Sequence, residues 1–157
     1  MRILFIAGAI VWIAGCSAGL HPTGTKEFDR AAFRQARAKW ENAGIVSYTF
    51  ESRYMCFCPA HLNVWTRLTV RRDRVVAADP VAPLPSGISS ELLGWRTVPE
   101  IFEWIESAAS SSDDMVSKVT VTYDEALGYP RDITIRCVST VADCDRDFHL
   151  RSLAGTP

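Results

Sequence analysis

Val46-Ser47-Tyr48-Thr49-Phe50-Glu51-Ser52-Arg53-Tyr54 alternates apolar and polar side chains with a period of two. Successive side chains of an extended strand point to opposite faces. Val46, Tyr48, Phe50 and Tyr54 therefore share one face, and Ser47, Thr49, Glu51 and Arg53 the other. A strand with one buried and one wet face belongs to an antiparallel sheet covered on a single side.

The flanking sequence extends this reading. After Cys56-Phe57-Cys58-Pro59, a second strand is expected over 62–71. Val64, Leu68 and Val70 would point inward, and Trp65, Arg67, Thr69 and Arg71 outward. Arg72-Asp73-Arg74 makes a tight turn into a third strand, Val75-Val76-Ala77-Ala78. Upstream, residues 28–43 read as a helix: Phe28, Ala32, Ala36 and Trp40 recur every four positions and Phe33 widens the stripe. Gly44 is its stop, since glycine accepts the left-handed conformation.

Residues 79–96 hold Pro80, Pro83, Pro85, Gly87 and Gly94 and read as a loop. Thr97-Val98-Pro99-Glu100 is a capping box that starts a second helix, with Pro99 tolerated in the first turn. Val98, Ile101, Phe102 and Ile105 form its stripe, and the serine–aspartate run over 110–114 ends it. Three further strands follow, marked by Val119, Val121 and Tyr123, by Ile133, Ile135 and Cys137, and by Phe148 and Leu150 with Arg146. Asp147, His149 and Arg151 lie opposite on the last one. The expected fold is α+β: an antiparallel sheet in α-β-β-β-α-β-β-β order with two helices packed on one face.

The N-terminus carries a different message. Arg2 precedes an apolar run from Ile3 to Trp12, then Ile13-Ala14-Gly15-Cys16. This is the layout of a secretory signal peptide, and the run is too short to cross a bilayer. It resembles the lipobox of bacterial lipoproteins. That resemblance implies cleavage before Cys16, a diacylglyceryl group on its thiol, and a chain exported and lipid-anchored to the bacterial cell envelope. Ser17, standing where an aspartate would retain the protein, implies the periplasmic face of the outer membrane if the cell has two membranes. The expected organisation is a signal peptide at 1–15, a lipidated cysteine and flexible tether at 16–27, and one α+β domain at 28–153. His21 falls in the tether as a solvated residue.

Composition excludes some classes. A formal charge of −1 lacks the basic excess of a nucleic-acid binder. No Gly-x-Ser-x-Gly, P-loop or His-Glu-x-x-His occurs. Asp143, Asp145 and Asp147 alternate like the start of a calcium loop, but Phe148 and Ala154 stand where its glycine and glutamate belong. Arg67, Arg71, Arg72 and Arg74 form a basic patch, read as a solvated sheet face or as a contact for anionic envelope polymers or headgroups. Asp124, Gly128, Tyr129 and Pro130 supply the chemistry of a hairpin connection. Tyr129 and Asp124 are also candidates for a ligand contact.

Setting Cys16 aside leaves Cys56, Cys58, Cys137 and Cys144, an even count that reads as disulfides in an exported protein. Pairing within each motif, Cys137–Cys144 across a hairpin loop and a tight Cys56–Cys58 bridge, stands beside crossed pairing between the motifs. A third reading keeps Cys56, Cys58 and His61 for thiol-redox or soft-metal work. Against it, a redox motif wants two residues between its cysteines and a zinc site wants four ligands.

Trp40 to Tyr48, Cys56-Phe57-Cys58-Pro59, Val98-Pro99-Glu100-Ile101-Phe102, Val121-Thr122-Tyr123-Asp124 and Leu127-Gly128-Tyr129-Pro130, with the acidic stretch 143–147, resemble an uncharacterised family of small bacterial lipoproteins. The likeness spans about 28–152. The chain departs from that pattern at Arg136 and Cys137, and the Cys137/Cys144 pair looks like an addition. The resemblance implies fold and address, not activity. The functional expectation is a membrane-tethered envelope lipoprotein with a non-enzymatic binding or structural domain, no cofactor, and another envelope protein or polymer as partner. A thiol-redox or soft-metal-handling protein is the second expectation, a periplasmic inhibitor-like module the third.

Overall fold

The computed structural model describes residues 27–89, 92, 94–110 and 115–155. The signal peptide, Cys16 and the tether before Glu27 lie outside the described residues. Helix α1 spans Arg30–Ala43 and is followed by β1 (Tyr48–Met55), a 3-10 turn (Ala60–Asn63), β2 (Thr66–Arg71) and β3 (Arg74–Pro80). Helix α2 (Val98–Ser110) precedes β4 (Val116–Tyr123), β5 (Pro130–Cys137) and β6 (Arg146–Gly155). The α-β-β-β-α-β-β-β order is as expected.

Local chemistry sets the boundaries. Asp29 caps α1 by accepting hydrogen bonds from the Ala31 and Ala32 amides, so the helix starts at Arg30 and Phe28 stays outside it. Gly44 closes the same helix at φ 62°. The capping box forms at α2: Glu100 Oε2 accepts from the Thr97 amide at 2.7 Å and the Glu100 amide donates to Thr97 Oγ1 at 3.4 Å. The Val98 amide, another donor of that first turn, finds the buried Tyr48 hydroxyl at 2.8 Å. A side chain of β1 thereby fixes where α2 begins.

All six strands join one antiparallel sheet in the order β3-β2-β1-β6-β5-β4. Each three-stranded meander is local in sequence, and the two meet only where β1 pairs with β6. Tyr48, Phe50, Leu68, Val70, Ile133, Ile135, Phe148 and Leu150 present the buried face. Phe33, Ala36 and Trp40 of α1 and Ile101, Phe102 and Ile105 of α2 pack onto it. Aromatic edge contacts link α1 to the sheet, with Trp40 5.3 Å from Tyr48, and α1 to α2, with Phe33 5.8 Å from Phe102.

The third strand runs on through Asp79 and Pro80, where a loop is expected, and further expectations need correction. The second strand begins at Thr66, not near residue 62. Pro59 starts a turn in which the Leu62 amide bonds the Pro59 carbonyl, and this turn buries Leu62 and His61. Val46 precedes the strand and is exposed. Glu51, assigned to the wet face, is only 7% exposed. The face assignment is right, but arginines from both neighbouring strands cover the side chain. The halves share element order yet no single rotation relates them. The strand order repeats by translation while the strand directions reverse, and both helices remain on one face.

Candidate functional site

The four cysteines pair within their motifs, Cys56 with Cys58 and Cys137 with Cys144, rather than across them. Register brings both bridges to one end of the sheet. Met55 pairs with Asp147, Ile135 with Arg146, and Val116 with Cys137. Cys56, Phe57, Cys137, Cys144, Val138 and Val141 line one open groove of about 510 Å³. Phe57, held between two bonded cysteines, is 90% exposed. His61 does not join them: its ring is buried 6.4 Å from that of Trp95. With the thiols bonded to each other, Cys56, Cys58 and His61 present no convergent donor set. Among the described residues no group of three or more His, Cys, Asp or Glu is placed to hold a metal ion.

The hairpin candidates are occupied by folding work. Asp124 Oδ1 accepts from the amides of Ala126 (3.1 Å) and Leu127 (2.8 Å), forming the expected turn. The Asp124 amide bonds the Tyr129 carbonyl at 2.9 Å. Gly128 adopts φ 78° with its backbone against Ala36 of α1. Tyr129 is 7% exposed, and burial raises the pKa of its hydroxyl.

The sheet face that neither helix covers carries a network not evident from local sequence pattern. Glu51 accepts from Arg67 on β2 and Arg151 on β6, both at 2.8 Å. Hydrogen bonds from Arg67 and then Arg151 hold the Glu51 carboxyl below its ordinary range. Trp65, just before β2, lies over β1: the Arg151 and Arg53 Cζ atoms stand 3.9 and 5.0 Å from its ring centroid. Arg53 enters no ion pair among the described residues, and its Nε is buried without a hydrogen-bond partner there. Toward the far edge, Asp147 accepts from Arg136 and Thr134, both at 2.9 Å.

His149 meets Asp132 at 2.9 Å, and Asp132 also accepts from Thr122 at 2.9 Å. Burial opposes ionisation of Asp132, but hydrogen bonds from His149 and Thr122 outweigh it and keep its pKa low. The carboxylate sits in the middle of this trio. A hydrolytic triad needs the imidazole between nucleophile and acid. The trio therefore orients side chains and activates no hydroxyl.

The expected basic patch divides. Arg67 belongs to the Glu51 cluster, whereas Arg71, Arg72 and Arg74 stand exposed around the β2–β3 turn. Trp65, Arg53 and Arg151 went unassembled because they come from three separate segments. Outward alternation marked each one, but nothing local says that β6 lies beside β1.

A family model described as "Family of unknown function (DUF6174)" matches residues 32–154. The chain belongs to this family. The match covers α1 through β6 and agrees with the expectation of an uncharacterised family. No curated protein and no solved structure matches the chain. Membership brings no activity with it, so function rests on the surfaces described above.

Proposed function

We propose that the chain is a membrane-tethered envelope lipoprotein whose domain is a non-enzymatic binding module. Its uncovered sheet face takes an anionic polymer of the envelope. One observation carries the binding reading: among the described residues Arg53 lies against Trp65 with no carboxylate partner, beside Arg67 and Arg151, which share Glu51. Of these three guanidinium groups, two share the Glu51 carboxylate and Arg53 is left to the Trp65 ring. A guanidinium on an aromatic ring is weakly hydrated and keeps its fork available for carboxylate or phosphate. A broad face of this kind suits an extended polymer better than a small molecule, which needs a concave site. The tether reading draws its support from Arg2, the apolar run and Ile13-Ala14-Gly15-Cys16.

The lipoprotein half is tested by labelling cells with radioactive palmitate: the wild type takes up label and Cys16→Ser does not. The binding half is tested with the lipidated protein in vesicles, using polygalacturonate as probe and dextran as neutral control. Binding to polygalacturonate should weaken steeply with salt and fall about fivefold or more in Arg53→Ala. Equal binding to dextran, or an unchanged Arg53→Ala, refutes it. Thiol–disulfide exchange is a second reading, favoured because both bridges wall one groove. Titration against glutathione buffers tests it: a bridge that stays oxidised throughout rejects exchange.

A further inference from the structure

We infer that the disulfide end of the sheet seats on the bilayer, with Phe57 inserted at the lipid interface. This rests on the lipoprotein reading. Glu27 joins the edge of the sheet at Lys118. Its amide bonds the Ser117 carbonyl at 3.2 Å, its carbonyl accepts from the Val119 amide at 3.0 Å, and its carboxylate meets Lys118 Nζ at 2.7 Å. The chain arriving from Cys16 is thus pinned at the start of β4. That is the end of the sheet that holds Val116, Cys137 and Met55.

Cys16 and Glu27 are separated by eleven peptide links. Fully extended, these span no more than about 40 Å. A lipid on Cys16 therefore holds this end closer to the membrane, on average, than the opposite end, which carries the Arg71-to-Arg74 turn. The near end also displays large apolar side chains, among them the most exposed large hydrophobic of the described residues. Phe57 is 90% exposed, and Met55 and Met115 are each 45% exposed. The Cys56–Cys58 bridge and Pro59 restrict the segment that presents Phe57, so little freedom is lost when the ring is buried.

Charge at this end is mixed. Lys118 pairs with Glu27, Arg136 with Asp145 and Asp147, and Asp143 is acidic. The lipid contact is accordingly apolar and should not depend on anionic headgroups, unlike the polymer contact at the uncovered sheet face.

The test reconstitutes the full lipidated chain in phosphatidylethanolamine–phosphatidylglycerol vesicles containing a lipid with a photoactivatable acyl chain. Adducts should form on the peptides bearing Phe57 and Met115. Phe57→Ser should lower the yield on its peptide about tenfold, in keeping with the partition change of one buried phenyl ring. Met115→Ser, also at an exposed site, should lower the yield on its own peptide while leaving that of Phe57. Replacing phosphatidylglycerol with phosphatidylcholine should leave the pattern unchanged. Adducts confined to residues 16–26, adducts on the Trp65 face, or a protein cross-link at Phe57 in place of lipid overturns the docking. Intact mass separates the two levels: acylated Cys16 with unlabelled Phe57 sinks the docking alone, whereas Cys16 without acyl groups sinks the tether reading and the docking with it.

Discussion

Glu51 shows how far one residue can depart from its local pattern. Alternation puts it on the wet face, and it is on that face, yet Arg67 and Arg151 close over it. No window of sequence contains both arginines, so the burial was not legible. The pairing has a pH signature. An unfolded glutamate titrates at about 4.3, and the arginine hydrogen bonds lower the folded value. The stabilisation is therefore complete above about 4.3 and is lost as pH falls through the folded pKa. Glu51→Gln should cost about 1 kcal/mol at pH 7, kept small because both arginines reach solvent. Urea unfolding should show the difference between the two proteins narrowing as pH drops below about 4.3. A gap that widens in acid would exclude this assignment.

At the scale of elements, caps and turns were the readable part. Thr97 and Glu100 form their box, Gly44 ends α1, and Asp124 with Gly128 makes the β4–β5 connection, because each signal acts within a few residues. The second strand was misread for the same local reason. Leu62 and Val64 continue an alternation that a turn anchored at Pro59 interrupts. The two glycines with defined roles separate conformational from steric demand. Gly44 needs φ 62° but has open space around it, whereas a methyl group on Gly128 would collide with the Ala36 carbonyl. Gly44→Ala should cost about 1 kcal/mol, and Gly128→Ala about 3 kcal/mol or more, since strain adds to the clash. Chemical denaturation of both variants measures the contrast, and equal costs would show that the Gly128 approach to α1 is not tight.

Across the whole molecule, fold class and element order followed from periodicity, but strand order did not. Periodicity is local, whereas the β1–β6 pairing joins residues such as Glu51 and Arg151, 100 positions apart along the chain. The uncovered face inherits this gap, since Arg53, Trp65 and Arg151 become neighbours only through that central pairing. Native-state hydrogen exchange should find β1 and β6 the slowest strands, opening only on global unfolding, and the edges β3 and β4 faster. Protection greatest at either edge would contradict the central placement. The same pairing governs the order of events during synthesis. A chain emerging N-terminus first can wind α1 and fold its first meander early, but the seam between the halves stays open until the final ten-residue strand arrives. Residues of high sequence separation close late because the entropy of the intervening loop must be overcome first. Deleting β6 would strip β1 of a partner and leave two apolar half-sheets with raw edges, so the two halves become one fold only once β6 has been made.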